Sequence, residues 1–121
     1  MEVRLKRIRG AAVGPEKFVF SQSVKIGSKR DLVDMFIEHP DIEPVHCRIE
    51  IATEAEMAEL RETGYRGGPL ITCLAEESRK GTFVNGHLLH DYDGHVRYAR
   101  VVDGDVISLA RLVTYEVGVQ A

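Results

Sequence analysis

Hydrophobic and polar residues alternate with a period of two along most of the chain, a pattern typical of half-buried strands. Val3 and Leu5, for example, stand between charged residues. Glycine, proline, asparagine and aspartate, which favour turns, separate the alternating segments. About ten short strands at this spacing predict an all-β sandwich or barrel. The predicted strands cover residues 3–8, 17–20, 23–26, 33–38, 46–51, 70–74, 82–84, 88–89, 96–102, 106–109 and 112–119.

Residues 53–63 differ from the rest, because their apolar positions follow a helical spacing. Thr53 followed by Glu56 has the spacing of a capping box, in which each side chain bonds to the backbone N–H of the other residue. The apolar residues at 55, 57, 58 and 60 fit one face of a helix, and Gly64 follows as a stop signal. The sequence therefore predicts one short helix, over about residues 54–63, inserted between two strands.

The segment 81–86 predicts a tight hairpin. Residues 82–84 are of types that favour strands. Asn85 tolerates a positive φ and Gly86 accepts one without a Cβ clash, so the pair suits the centre of a type I′ turn. The charged loop 76–80 precedes this hairpin and is therefore expected at one end of a sheet.

The chain has 121 residues, enough for one domain, which we expect to span residues 1–121. Hydrophobic residues make up 44% and charged residues 29%, which is typical of a globular protein rather than a disordered one. The net charge of -3 gives no support for non-specific binding to nucleic acid.

Cys47 and Cys73 both lie in apolar segments and are expected to be small buried hydrophobic residues. Two cysteines do not form a disulfide framework, and a reducing compartment fits them best. The first residues lack the apolar core of a signal peptide, and no apolar stretch approaches the roughly 20 residues of a membrane span. We therefore predict a cytoplasmic protein without a membrane-spanning segment.

Candidate catalytic and metal-binding residues are few. His87, His90 and His95 are close in sequence, but they fall on a turn and a loop, where their side chains diverge. His46 and Cys47 are neighbours on a predicted strand and point to opposite faces. The chain also lacks a nucleotide-binding P-loop motif. The sequence thus predicts no metal, no cofactor and no enzymatic activity.

Four motifs, in order along the chain, resemble those of the forkhead-associated (FHA) domain family. They are Ile26-Gly27, Val45–Ile49, Ser78–Gly86 and Val102–Ile107. The resemblance covers nearly the whole chain, and the inserted helix alone has no usual counterpart. It implies an FHA/SMAD-like β-sandwich of about 10–11 strands. In this family, loops at one end of the sandwich bind phosphothreonine peptides.

The family positions that contact phosphate or peptide are occupied here by different residues. Ser28 stands where the family has arginine, Glu43 where it has serine, and Lys80 where it has asparagine. Pro44 has no backbone N–H to donate. Arg79 stands where a hydroxyl residue is common. Because phosphothreonine carries roughly -1.5 to -2 charges, a carboxylate at this position disfavours its binding.

Two basic pairs, Lys29-Arg30 and Arg79-Lys80, lie on loops that the resemblance brings together. They can hold a displaced anion, neutralise Glu43, or remain ordinary exposed charges. The resemblance also implies that His46 bridges loops through hydrogen bonds. The remaining structural candidates are expected to meet backbone requirements, and they are Gly27, Gly81, Asn85 and Gly86.

We therefore predict a protein-interaction module of FHA type whose contact surface is formed by loops 27–31, 41–46 and 78–81. The partner is a protein or peptide, and binding is either independent of phosphate or uses non-standard basic residues. The alternative is phosphothreonine recognition with rearranged ligands. The candidate contact residues are Ser28, Lys29, Arg30, Glu43, Ser78, Arg79 and Lys80.

Overall fold

The computed structural model of the chain describes residues 1–10, 13–76, 79–89 and 97–120. Within these ranges lie eleven strands, one α-helix and one 3₁₀-helix, Arg30–Leu32. The α-helix α1 covers Glu54–Glu62. The strands are β1 Glu2–Gly10, β2 Lys17–Phe20, β3 Val24–Gly27, β4 Met35–Phe36, β5 Cys47–Ile51, β6 Ile71–Ala75, β7 Thr82–Val84, β8 His87–Leu89, β9 Tyr98–Val101, β10 Val106–Leu109 and β11 Val113–Gln120.

The strands form two sheets that pack face to face. The six-stranded sheet has the order β2-β1-β11-β10-β7-β8, and the five-stranded sheet has the order β4-β3-β5-β6-β9. Among the described strands the pairings are antiparallel, apart from the parallel pair β3–β4. The predicted all-β sandwich with about 10–11 strands and one inserted helix is confirmed.

The hydrophobic core lies between the two sheets, as the alternating pattern requires. Val3 and Leu5 of β1 point inward with exposed fractions of 0% and 1%. They pack in one cluster with Ile26 of β3, Ile49 of β5 and Tyr115 of β11. Because strand side chains alternate between faces, the charged neighbours of these residues lie on the outer surface.

A register shift explains why the inward pattern of β1 stops early. The pairing of β1 with β11 slips between Arg7 and Arg9. Such a bulge shifts the alternation by one residue, so that the side chain after it changes face. Ile8 is the residue left unpaired by this shift; it is out of phase with Val3 and Leu5 and is 50% exposed.

The two cysteines belong to the core, as predicted. Cys47 and Cys73 are fully buried on adjacent strands and both are free thiols. A hydrogen bond with Cys73 and the burial itself raise the pKa of the Cys47 thiol well above its usual value. Because the thiolate is the reactive form, Cys47 is an unreactive packing residue.

β4 is much shorter than the strand predicted over residues 33–38. The Asp34 N–H donates to the Lys25 carbonyl, while an Asp34 carboxylate oxygen accepts from the Lys25 N–H. This side-chain bond takes the place of a ladder bond at the start of the segment, and only Met35 and Phe36 pair with β3. The predicted alternation nevertheless holds, since Met35 and Ile37 are fully buried.

The inserted helix begins with the predicted capping box. The Glu56 N–H donates to the Thr53 hydroxyl, and the Thr53 N–H donates to the Glu56 carboxylate. These bonds lower the pKa of Glu56. The predicted apolar face is only partly used, because Met57 is buried whereas the alanines at 55 and 58 are exposed. The helix therefore lies on the surface and adds little to the core.

The hairpin predicted at Asn85-Gly86 is confirmed, with β7 and β8 paired through Val84 and His87. Asn85 has φ 50 and Gly86 has φ 80, as a type I′ turn requires. The Asn85 amide also donates to the carboxylate of Asp105, at the turn before β10. No helix among the described residues has the length and apolar character needed to cross a membrane.

Candidate functional site

Three loops meet at one end of the sandwich, and we call them the apical loops: 27–31, 41–46 and 79–81. Two backbone bonds join the first loop to the second, from Ser28 N–H to the Glu43 carbonyl at 2.9 Å and from Lys29 N–H to the Pro44 carbonyl at 3.3 Å. A Cβ on Gly27 would lie 2.1 Å from the Pro44 oxygen, so this close approach of two backbones requires glycine.

His46 joins the second loop to the third. The ring is completely buried, and its Nε2 lies 2.8 Å from the Gly81 carbonyl oxygen. Its Nδ1 accepts from the Glu43 N–H at 3.2 Å. Because a carbonyl can only accept, the Nε2 atom carries the proton and the ring is neutral. Burial lowers the pKa of His46, although the Gly81 bond and the Glu43 charge oppose this effect. These are the contacts that a loop-bridging residue needs.

The Gly81 carbonyl is shared by two elements. It faces His46 Nε2 and also accepts from the Ala110 N–H at 2.8 Å. Gly81 has φ +89, and a Cβ there would lie 2.8 Å from Leu88. The turn between β10 and β11 is thereby held at the same end of the molecule as the apical loops.

The carboxylate of Glu43 pairs with Arg79 across the apical loops, with 3.3 Å between Arg79 Nε and Glu43 Oε1. The Glu43 side chain is 22% exposed and that of Arg79 is 87% exposed. Such a pair is worth about 1 kcal/mol or less, because its arginine is solvated. The Ser28 hydroxyl donates to the Ile42 carbonyl at 2.6 Å. Ser28 and Glu43 are therefore both engaged in internal contacts.

The other predicted basic residues have different surroundings. The guanidinium of Arg30 stacks over the Phe36 ring at 4.3 Å. Lys29 and Lys80 are exposed, and no ion pair joins either of them to another described residue. Ser78 lies outside the described residues. The surface thus combines the paired carboxylate of Glu43 with the exposed cations Lys29 and Lys80.

One residue that sequence reasoning missed is Arg111, in the turn between β10 and β11. Ala110 and Arg111 both have positive φ, 57 and 54. The turn contains neither glycine nor asparagine, the residues that usually signal this conformation, so the local sequence gives no indication of it. The Arg111 guanidinium stacks over the Phe83 ring at 4.7 Å.

Of the three histidines considered as metal ligands, the structure describes His87 alone. His87 is exposed on β8, whereas His90 and His95 lie outside the described residues. Within the described ranges, no group of three His, Cys, Asp or Glu side chains is placed to hold a metal ion.

Two packed sheets with three loops joined at one end define a class of β-sandwich domain. The FHA domain family model matches residues 24–110 of this chain. This match spans most of the chain and includes β3 to β10, all three apical loops and the inserted helix. The chain therefore belongs to the FHA domain family.

Solved FHA domains share this fold at low sequence identity. The FHA domain of the CT664 protein from Chlamydia trachomatis superposes with a TM-score of 0.71 and 16% identity, with 100% of both chains covered. The FHA domain of an Arabidopsis thaliana hypothetical protein gives 0.72 and 19%, with 99% of this chain and 86% of that chain covered.

The yeast Dun1 FHA domain, solved in complex with a doubly phosphorylated peptide derived from Rad53 SCD1, has a TM-score of 0.67 and 19% identity. The alignment covers 97% of this chain and 73% of that chain. No curated protein matches the sequence. At these low sequence identities, the similarity shows a shared fold and nothing beyond it.

Proposed function

We propose that this chain is a non-enzymatic protein-interaction module of FHA type that binds a partner protein through the apical loops without requiring a phosphate. One observation carries the proposal: the Glu43 carboxylate lies among these loops and pairs with Arg79 at 3.3 Å. The negative charge of this carboxylate repels a phosphate. The hydrogen bonds that join the three loops are nevertheless in place.

The contacts between the apical loops support a binding role for them. Three loops from distant parts of the chain are joined through His46, Gly27 and the Gly81 carbonyl. Loops fixed in this way lose little conformational entropy on binding, and preorganisation of this kind raises affinity. We include a single-domain organisation over residues 1–121 and a cytoplasmic location in the proposal, the latter because both cysteines are free thiols.

Phosphothreonine binding with rearranged ligands is the second candidate. It is favoured by Lys29 and Lys80, which are exposed and form no ion pair with a described residue. Arg79 can leave Glu43 at small cost, since an exposed ion pair contributes about 1 kcal/mol or less. Under this hypothesis, Lys29 and Lys80 would hold the phosphate at a displaced position.

Capture of partners from native lysate, with and without phosphatase treatment, separates the two candidates. We expect the wild-type chain to retain the same partner from both lysates. Charge reversal by Lys29→Glu with Lys80→Glu should reduce capture at least about tenfold, because it replaces two exposed cations of the proposed contact surface with anions and so removes its electrostatic match to the partner. Arg66→Glu is the control for charge reversal away from the apical loops, since this exposed residue bonds to Arg61 and Tyr65 at the inserted helix.

Each outcome of the capture experiment leads to a different conclusion about the two candidates. Capture that disappears after phosphatase treatment favours the second candidate, and it should then also be abolished by replacing Arg79 and Lys80 with alanine. If Lys29→Glu with Lys80→Glu and Arg66→Glu reduce partner capture equally, the reduction is a general effect of charge. Capture that no apical variant changes would exclude both candidates.

Glu43→Gln tests directly whether the carboxylate excludes phosphate. The substitution removes one negative charge, retains the shape of the side chain and leaves Arg79 without its ion pair. We expect affinity for a library of phosphothreonine peptides, measured by fluorescence anisotropy, to increase at least about tenfold over wild type, a difference of about 1.4 kcal/mol. Glu59→Gln, on the exposed surface of α1, is the control. An unchanged affinity would show that another feature excludes the phosphate.

A further inference from the structure

The turn between β10 and β11 has a backbone conformation that its sequence does not favour. Ala110 and Arg111 are both left-handed, with φ 57 and 54. For residues with a Cβ this conformation is unfavourable, and glycine or asparagine adopts it more readily. The Ala110 N–H donates to the Gly81 carbonyl at 2.8 Å, so the turn is fixed in place beside the apical loops.

The side chain of Arg111 is also held in one place. Its guanidinium lies 4.7 Å from the centroid of the Phe83 ring. Phe83 is 6% exposed but lies outside the core cluster, on the outer face of the six-stranded sheet. The same ring would be 3.1 Å from a Cβ on Gly81, so Arg111 is stacked beside the third apical loop. Stacking uses the flat face of a guanidinium and leaves its N–H edges available.

Arg111 has no acidic partner within the described ranges. The five ion pairs formed there involve other basic residues, including Arg79 with Glu43. Arg111 is therefore an exposed, oriented cation next to Gly81, whereas the charge of Arg79 is already partly neutralised. Guanidinium groups with free edges bind the paired oxygens of a carboxylate or a phosphate in a bidentate manner.

We propose that Arg111 is a specificity-determining residue of the apical surface, where it binds a carboxylate or phosphate group of the partner segment at a point separate from the Glu43–Arg79 pair. The inference rests on the proposed function, because it assumes that the apical loops bind a partner. It specifies that the partner segment carries a carboxylate or phosphate group where it lies over the turn between β10 and β11.

An array of nine-residue peptides provides the test. Each peptide has threonine at its centre and glutamate, phosphoserine or glutamine at one flanking position. We expect wild type to prefer an anionic residue over glutamine on one side of the threonine only, because Arg111 lies on one side of the apical loops. Comparable preference for glutamate and phosphoserine would identify the shared oxyanion chemistry, and a preference for phosphoserine alone would identify phosphate as its source.

Arg111→Gln is expected to abolish this preference, so that affinity for the glutamate peptide falls about tenfold to that of the glutamine peptide. Arg111→Lys should retain part of the preference, since it keeps the charge and loses the planar fork. Lys17→Gln, at an exposed position on β2, is the control and should change neither affinity. Urea unfolding of each variant verifies that the fold is intact.

The remaining outcomes separate this inference from the proposed function. If Arg111→Gln retains the preference while the Lys29 and Lys80 variants lose binding, the inference is overturned and the proposed function stands. If the wild-type chain binds no peptide on the array, the inference fails, whereas the proposed function, which partner capture tests, stands.

Discussion

Replacing His46 with alanine is expected to lower the free energy of unfolding by about 3–5 kcal/mol. The substitution leaves a cavity where a fully buried ring was and removes the bond to the Gly81 carbonyl. It also leaves the Glu43 N–H without the Nδ1 acceptor. Urea unfolding followed by circular dichroism measures the change.

His87→Ala is the matched control, because His87 is exposed on β8. Its effect should stay within about 0.5 kcal/mol, as for most surface substitutions. A loss below about 1 kcal/mol for His46→Ala would contradict the bridging role, since each unsatisfied buried group alone costs about that much. Backbone amides of the apical loops should exchange faster in this variant, whereas those of β1 and β11 should follow the global stability.

The pH dependence of stability gives an independent check on His46. Burial lowers its pKa in the folded state below the ordinary value of 6.5. The unfolded chain therefore binds the proton first as the pH falls, and the contribution of His46 decreases below pH 6.5 until the folded-state pKa is reached. The stability difference between wild type and His46→Ala should accordingly be largest above pH 6.5 and smaller at pH 5.5. A difference that is constant with pH would contradict this account.

Replacing Gly27 with alanine is expected to cost about 3 kcal/mol. The new Cβ would lie 2.1 Å from the Pro44 oxygen, which is part of the backbone and cannot move without the loop. The two bonds from Ser28 and Lys29 to the second loop must then lengthen or break. The free energy of unfolding measures this cost, and partner capture should decrease with it because the loops separate.

Gly68→Ala is the control for this substitution. No atom lies within 4 Å of a Cβ built at Gly68. We expect no loss of stability, or a gain of about 0.4–1 kcal/mol, because alanine reduces the freedom of the unfolded chain. Equal effects at the two glycines would mean that the close approach at Gly27 relaxes without cost.

Several features of the fold could be predicted from sequence because they depend on local geometry. The burial of Val3 and Leu5 follows from the period of two, and the turn at Asn85-Gly86 follows from the φ angles these residues accept. The capping box of α1 likewise needs only residues three apart. The order of family motifs then predicted the β-sandwich fold to which these elements belong.

The meeting of the three loops was predictable from the sequence, but their side-chain contacts were less so. The sequence indicated that loops 27–31, 41–46 and 78–81 form one surface, and hydrogen bonds join the described parts of all three. Which cation neutralises Glu43 remained open, because Lys29, Arg30, Arg79 and Lys80 were all candidates. The choice of Arg79 depends on a contact between residues 36 positions apart.

By itself, the sequence determined the strand faces, the two-residue hairpin turn and the helix cap, since periodicity and local backbone preference act over a few residues. The family was indicated by the resemblance of its ordered motifs. The tertiary structure alone decided the pairing of Glu43 with Arg79, the short β4 and the left-handed turn that carries Arg111. Each of these depends on bonds or packing between distant segments. In the turn, the bond from Ala110 to Gly81 and the Phe83 ring accompany a conformation that the local residues do not favour.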